Sequence, residues 1–326
     1  MSSNQMTLEE YKKYLEWDTQ KHLLVEGTSD RIIFLRFFEE FLGPEWQDNS
    51  GLAIDTSEIL SSSSNNAQGN REKVELAVNM LMNLLPLNKL TGFVDREFRG
   101  FDWESEFQDK LKIHVIKDRI VWTRGHSIEN YFLNINVLQI PFTIASGETF
   151  KKAYDLFKKN LLYFLKTACI LTLSALSLNY SFDRIKASIG WDILESDGTI
   201  NTEIWSDRLN DKANFNREEI SQLIKQYNKY ADNLISINDE ILEWFPHGHI
   251  SFHLIWCAFA RCVYETVDNP SERKSKAQKV LEASSDMRLG MCALYWAKCA
   301  RQGIVPHPSE IFNLIGIALD SKPAHT

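Results

Sequence analysis

The sequence predicts an α/β domain over residues 1–133, built on a mostly parallel sheet flanked by helices, followed by an all-α domain over residues 134–326. Three observations lead there. The first 133 residues alternate short apolar runs with helical periods, whereas beyond about residue 135 the strand signals fade and long helical periods take over. Two of the apolar runs end in carboxylates: LLVEGTSD, with Glu26, and TGFVDREF, with Asp95 and Glu97. Strand ends of this kind are where open α/β sheets bind ligands.

The elements follow in order. Residues 22–25 read as the first strand, and Gly27 leads into a helix over 28–42 with Ile32, Leu35, Phe38 and Leu42 on one face. Ile33, Phe34, Phe37 and Phe41 widen that face, so the helix is expected to be deeply packed. A weaker strand is expected at 52–56, and SSSSNNAQGN, 61–70, reads as a loop. Val74, Ala77, Val78, Leu81 and Leu85 repeat at three and four, which predicts a helix over 71–85 stopped by Pro86. Residues 90–94 form the next strand. The β-branched stretch 113–122 is expected to be the last, and the β-α-β-α-β order calls for parallel strands with right-handed crossovers. The second half predicts helices at 149–178, 217–245, 250–267, 273–283 and 287–302, broken at 191–211, at Pro246 with Gly248, and at Asn269 with Pro270.

Composition narrows the class. With 326 residues, 44% of them hydrophobic and 25% charged, the chain has room for two cores. The opening MSSNQMTLEEYKKYLEWD is polar and does not read as a secretion signal. The longest apolar stretch, 161–178, carries Lys166, Thr167, Thr172, Ser174 and Ser177, so it reads as a buried helix and no membrane span is expected. Five cysteines in apolar helical contexts, never as a close CxxC pair, argue against disulfides and fit a reducing cytoplasm. A net charge of −8 disfavours nucleic acid as a partner. Against that, 110–126 gathers Lys110, Lys112, Lys117, Arg119 and Arg124 with Asp118 alone among acids. The strip reads equally as a phosphate-contacting surface and as a solvated edge strand.

A carboxylate at a strand end, followed at once by glycine and a helix start, has a physical use: glycine lets a phosphate approach the backbone, and the helix N-terminus offers N–H groups. Glu26 is then placed to transfer a proton or bind a metal. Asp30 lies in the first helical turn. Asp95 and Glu97, two apart, would project from the same side of an extended chain and hold one cation or bridge two. Singly, each acid also reads as a capping or surface group. The weight lies in their joint order: apolar strand, Glu-Gly, helix, helix, apolar strand, Asp-x-Glu.

That order resembles the Toprim domain of topoisomerases, primases and OLD-type nucleases. The resemblance implies Mg²⁺ or Mn²⁺ at Glu26, Asp95 and Glu97, with Glu97 standing where many relatives have aspartate, and Asp30 is a further candidate ligand beside them. TRGHSIENYF, 123–132, is similar to the H-x-x-E-N-Y segment of a Toprim subgroup first known as a domain of unknown function, DUF4435. By that likeness Glu129 completes the acidic cluster, with His126 one helical turn before it. With an all-helical second half, the whole resembles the effector nucleases of PARIS-type anti-phage defence systems. This implies a toxic, cytoplasmic endoribonuclease that cleaves host tRNA, is restrained by an ABC-type ATPase and acts as a homodimer. The catalytic residues would be Glu26, Asp95 and Glu97. Lys117, Arg119, Arg124 and His126 would contact substrate, and 134–326 would serve dimerisation, partner docking or substrate contact. An OLD-like DNA nickase and a non-catalytic adaptor are the rival readings.

Three further segments have plainer readings. His247, His249 and His253 of FPHGHISFH could form a metal site, since positions four apart share a helix face, but no nearby carboxylate or cysteine is expected to complete it, and they are expected to be packed at a helix start. FKKAYDLFKKNLLYFLK, 150–166, predicts an amphipathic helix with a solvated lysine face. The run from Asp286, DMRLGMCALYWAKC, predicts an apolar helix suited to a core or a subunit interface.

Overall fold

The computed structural model describes residues 5–61, 69–103, 107–233 and 238–317. Most of the expected 61–70 loop lies outside them. The chain forms two compact units, the first from Met1–Arg96, Leu111–Ile128 and Leu289–Thr326, the second from Glu97–Lys110 and Glu129–Arg288. These limits differ from a division at residue 133 in two places. Residues 97–110 go with the helical unit, and the last part of the expected helical half goes with the sheet.

The elements before the second unit are α1 (Leu8–Trp17), β1 (Lys21–Val25), α2 (Thr28–Leu42), α3 (Trp46–Asn49), β2 (Leu52–Thr56), α4 (Asn70–Leu81) and β3 (Leu90–Val94). A short hairpin, β4 (Phe101–Asp102) with β5 (Gln108–Asp109), belongs to the second unit, and β6 (Val115–Lys117) and β7 (Ile120–Trp122) return to the first. The main sheet runs β2-β1-β3-β7-β6, parallel except for the antiparallel edge strand β6. The single strand expected over 113–122 is therefore a hairpin. Asp118, at φ 57, takes the left-handed conformation that a short polar side chain tolerates, and Lys117 and Ile120 face each other across the turn.

Both faces of the sheet are covered. Leu24, Leu90, Val94 and Ile120 share one core with Leu8, Tyr11 and Leu15 of α1 and Val74, Val78 and Leu81 of α4. Helix α4 lies so close that a Cβ on Gly92 would meet Val78 Cγ2 at 3.0 Å and Val74 Cγ1 at 3.1 Å, so any larger residue mid-strand there would push the two valines back by a few tenths of an ångström. Helix α1 was hidden in an opening that looked merely polar. It begins with a capping box, in which Thr7 and Glu10 bond each other's backbone N–H groups.

The second unit contains α5 (Ile135–Ser146), α6 (Phe150–Leu178), α7 (Phe182–Ser188), α8 (Thr202–Ala213), α9 (Arg217–Asn233), α10 (Asp239–Leu242), α11 (Gly248–Thr266) and α12 (Arg273–Val280). Helix α8 falls where a break was expected. The Asn201 side chain accepts from the N–H groups of Glu203 and Ile204, and left-handed Asn214 ends it, so two asparagines make a helix of a polar stretch. Helices α6 and α11 form the centre, where the Phe142 and Phe259 rings stack at 4.0 Å with Phe157 and Trp256 edge-on to Phe142. Ile135–Leu178 is long and apolar enough to cross a membrane, yet 61% of its most apolar window is buried inside the protein.

Helix α13 (Ser285–Arg301) begins in the second unit and continues into the first, where α14 (Glu310–Ile315) follows. These elements cover the second face of the sheet. Phe93 meets Phe34 at 4.7 Å, and Phe37 stacks between Trp296 at 5.1 Å and Phe312 at 5.5 Å. The aromatic surplus of α2 is thus matched by a partner nearly 260 residues further along the chain.

Candidate functional site

Strands β1 and β3 are neighbours, so their C-terminal ends deliver Glu26 and Asp95 side by side. The Asp95 N–H donates to Glu26 Oε1 at 2.7 Å, and the Ile128 N–H donates to Asp95 Oδ1 at 3.0 Å. Ser57, just after β2, donates its hydroxyl to the Glu26 carbonyl at 2.7 Å. Four segments, those following β1, β2 and β3 and the one at Ile128, are tied together by these bonds. Asp30 Oδ2 accepts the Gly27 N–H at 2.9 Å, so that glycine amide serves the helix cap and is not offered to a ligand.

Burial pushes the Glu26 carboxyl up to about 7. The Asp95 N–H bond opposes this, Asp30 adds to it, Arg71 opposes it and Glu75 adds a last increment. A carboxyl held near neutrality can take up and release a proton at physiological pH.

Glu97 does not share the geometry foreseen for it. It is exposed, it belongs to the second unit, and its φ of 52 is left-handed, so the Asp95–Glu97 segment is not the extended chain that would align both acids. Between them Arg96 is fully buried. Its N–H donates to Thr123 Oγ1 and its Nη1 to the Arg124 carbonyl, both at 2.8 Å, which fixes the 123–125 loop against the end of β3.

In chemical type, the oxygens of Glu26, Asp30 and Asp95 suit a hard cation such as Mg²⁺ or Mn²⁺, and a bound cation would offset the resistance to charge at Glu26. In placement, no three His, Cys, Asp or Glu side chains among the described residues gather closely enough to hold a metal ion.

The ENYF segment has a structural use within the second unit. Glu129 is buried, with His249 Nε2 3.2 Å from its Oε1. Asn130 Nδ2 donates to the carbonyls of Glu243 at 2.9 Å and Pro246 at 3.0 Å, and Tyr131 packs edge-on against Trp244. The segment therefore clamps the turn that starts α11. The expectation that no carboxylate or cysteine attends the histidines is corrected: Glu129 stands beside His249, and Cys257 Sγ lies 3.6 Å from His253 Nε2. Hydrogen bonding to Glu129 raises the His249 pKa. His247, stacked on Phe182 at 4.1 Å, is driven down to about 3 by burial, and burial takes His253 to about 4. Those two are packed histidines, as expected.

The basic strip divides. Lys117 is exposed on the edge strand. Arg119 is given over to the fold: its guanidinium donates to the Leu90 carbonyl at 2.6 Å, Asn88 Oδ1 at 3.1 Å, Thr91 Oγ1 at 3.0 Å and the Leu314 carbonyl at 2.7 Å. Arg124 is half-buried at the edge of a cavity, and His126 is buried. Fold and site together define an α/β unit with an acidic strand-end site, joined to a helical unit. No family model matches the chain, and no curated protein matches it.

Proposed function

We propose that the chain is a Toprim-type, metal-dependent endonuclease. One observation carries the reading: two acids at the ends of adjacent parallel strands, Glu26 and Asp95, are locked together by a backbone bond, with Asp30 influencing the charge of Glu26. Glu26 and Asp95 would be the protein's share of the cation's ligands, with water and phosphate oxygens completing the set and Asp30 acting through the charge of Glu26, and Mg²⁺ or Mn²⁺ bound there would supply Lewis-acid stabilisation of charge developing on a phosphate. Glu26 is the proton-transfer group. Since its Oε1 accepts the Asp95 N–H, a proton taken up by this carboxyl resides on Oε2. Asp95 positions Glu26 through that same N–H, and Arg96 holds the adjoining loop in register.

The resemblance stated above extends the proposal to tRNA as substrate and to a toxic anti-phage effector in the cytoplasm. Its partner there would be the ABC-type ATPase AriA, which restrains it until release, and its active form a homodimer. A non-catalytic adaptor has one observation in its favour, the lack of a converged metal-binding group among the described residues. Incubating the purified chain with tRNA or supercoiled plasmid, with Mg²⁺, Mn²⁺ or EDTA, separates the readings. The nuclease reading expects cation-dependent tRNA cleavage that is lost in Glu26→Gln and Asp95→Asn. Plasmid nicking alone selects the DNA nickase, and activity undiminished in both variants overturns the site.

A further inference from the structure

The first unit contains an open cavity of about 600 Å³ between the segment leading into β6, the 123–125 loop and the turn joining α13 to α14. None of the strand-end acids lines it. Its volume lies within the range of sites for small organic ligands. Lys112 and Arg124 supply two cations to its wall, with Glu310 the one acid. Ile113 and Ile304, 66% and 50% exposed, are large apolar side chains left open to solvent at its mouth. His114 and His307 complete the polar lining, and burial lowers both, His114 to about 4, so each imidazole is neutral at physiological pH, with one nitrogen of His307 already engaged by the Val305 backbone. The walls are held in place: the Arg124 carbonyl is anchored by Arg96, and the His307 ring lies 5.2 Å from Phe41 and 6.0 Å from Phe37.

Paired cations, neutral hydrogen-bonding rings and flanking aliphatic side chains in one cavity are the complement of an anionic group joined to a flat, polar-edged heterocycle. We propose that this cavity binds a nucleoside monophosphate, its phosphate on Lys112 and Arg124 and its base between Ile113 and Ile304 with the polar edge toward His114 and His307. Glu310 accepts from an exocyclic amino group, which favours adenine, cytosine and guanine over uracil, and its charge disfavours a longer phosphate chain. The ligand is either a free nucleotide or one nucleotide of a bound RNA strand.

Calorimetry on the full chain without metal, in the Glu26→Gln background, keeps the question apart from nuclease activity. The ligands are AMP, UMP, adenosine, inorganic phosphate and a short RNA ending in adenosine, titrated into this protein and into versions carrying Arg124→Gln or Ile304→Asp. Thermal unfolding confirms that each protein is folded. AMP is expected to bind at least ~10-fold more tightly than phosphate, adenosine or UMP, and to lose ~10-fold or more in each variant. Competition by the RNA identifies the strand as the source, and its failure to compete identifies a free nucleotide. Absence of AMP binding at millimolar concentration, phosphate binding as well as AMP, or AMP binding untouched by both substitutions overturns the proposal.

Discussion

Glu26 is the residue whose ionisation the fold most plainly controls. Its carboxyl is raised from the ordinary 4.5 to about 7, so the folded state holds the proton more tightly than the unfolded chain does. The stability linked to that proton is complete below about pH 4.5 and is lost as pH rises through 7. Glu26→Gln keeps the neutral shape without the charge. It is expected to match the wild type near pH 4 and to exceed it by up to about 3 kcal/mol above pH 7, read by urea unfolding at the two pH values. Mg²⁺ is expected to stabilise the wild type and not the variant. Arg119 illustrates the opposite case, a charge in a basic strip that serves the fold. Arg119→Gln is expected to cost about 2–4 kcal/mol in stability, because four acceptors lose a charged donor, whereas Lys117→Glu is expected to be close to neutral in the same unfolding assay. The sequence offered no means of telling these two cations apart, since the acceptor at Leu314 comes from almost 200 residues away.

Among elements, those with strong local signals were legible. The helix at 28–42 and the strands at 52–56 and 90–94 stand where the periodicity placed them, because a five-residue apolar run or a regular apolar stripe needs no tertiary information. The hairpin at Asp118 was missed because its turn lacks the glycine that usually marks one, and α8 because its asparagine caps read as a loop. The ENYF segment was legible as a motif and opaque as a structure. Its partners lie in the turn before α11, over 100 residues on, and nothing local pairs Glu129 with His249. That pair has a pH signature. Glu129 raises the His249 pKa, so the stability it lends is complete below the ordinary 6.5 and is lost as pH rises through the higher folded value. NMR titration of the His249 ring is expected to give a midpoint above 6.5, falling in Glu129→Gln. An unchanged midpoint in the variant would remove Glu129 as the cause.

At the scale of the whole molecule, composition and periodicity conveyed an α/β part and a helical part, yet contiguous domains were the wrong picture of how the chain is shared between them. The first unit takes its second cover from residues after 289. The proposal of a dimer through the helical unit draws on the open apolar side chains of Ile140 and Ile144 on α5 and Leu162 and Tyr163 on α6, 37–59% exposed. Mass measurement across concentrations, run beside cleavage assays, is expected to show dimerisation that Ile144→Glu weakens together with activity. Full tRNA cleavage by a species that stays monomeric throughout would exclude the dimer requirement.

The late arrival of that second cover has a consequence for synthesis. When a ribosome has made β1, β2, β3 and β7, the aromatic face of α2 still lacks Trp296 and Phe312, whose codons lie far downstream. At ~5–20 residues per second, roughly 10–40 s separate the last strand from its cover. Through that interval the nascent chain presents an unfinished sheet with a bare ring-lined surface, the kind of surface that chaperones hold. The α/β unit is therefore completed only once α13 and α14 have left the ribosome. A truncated translation product would contain both acids, Glu26 and Asp95, without the aromatic cover over α2 that completes their unit.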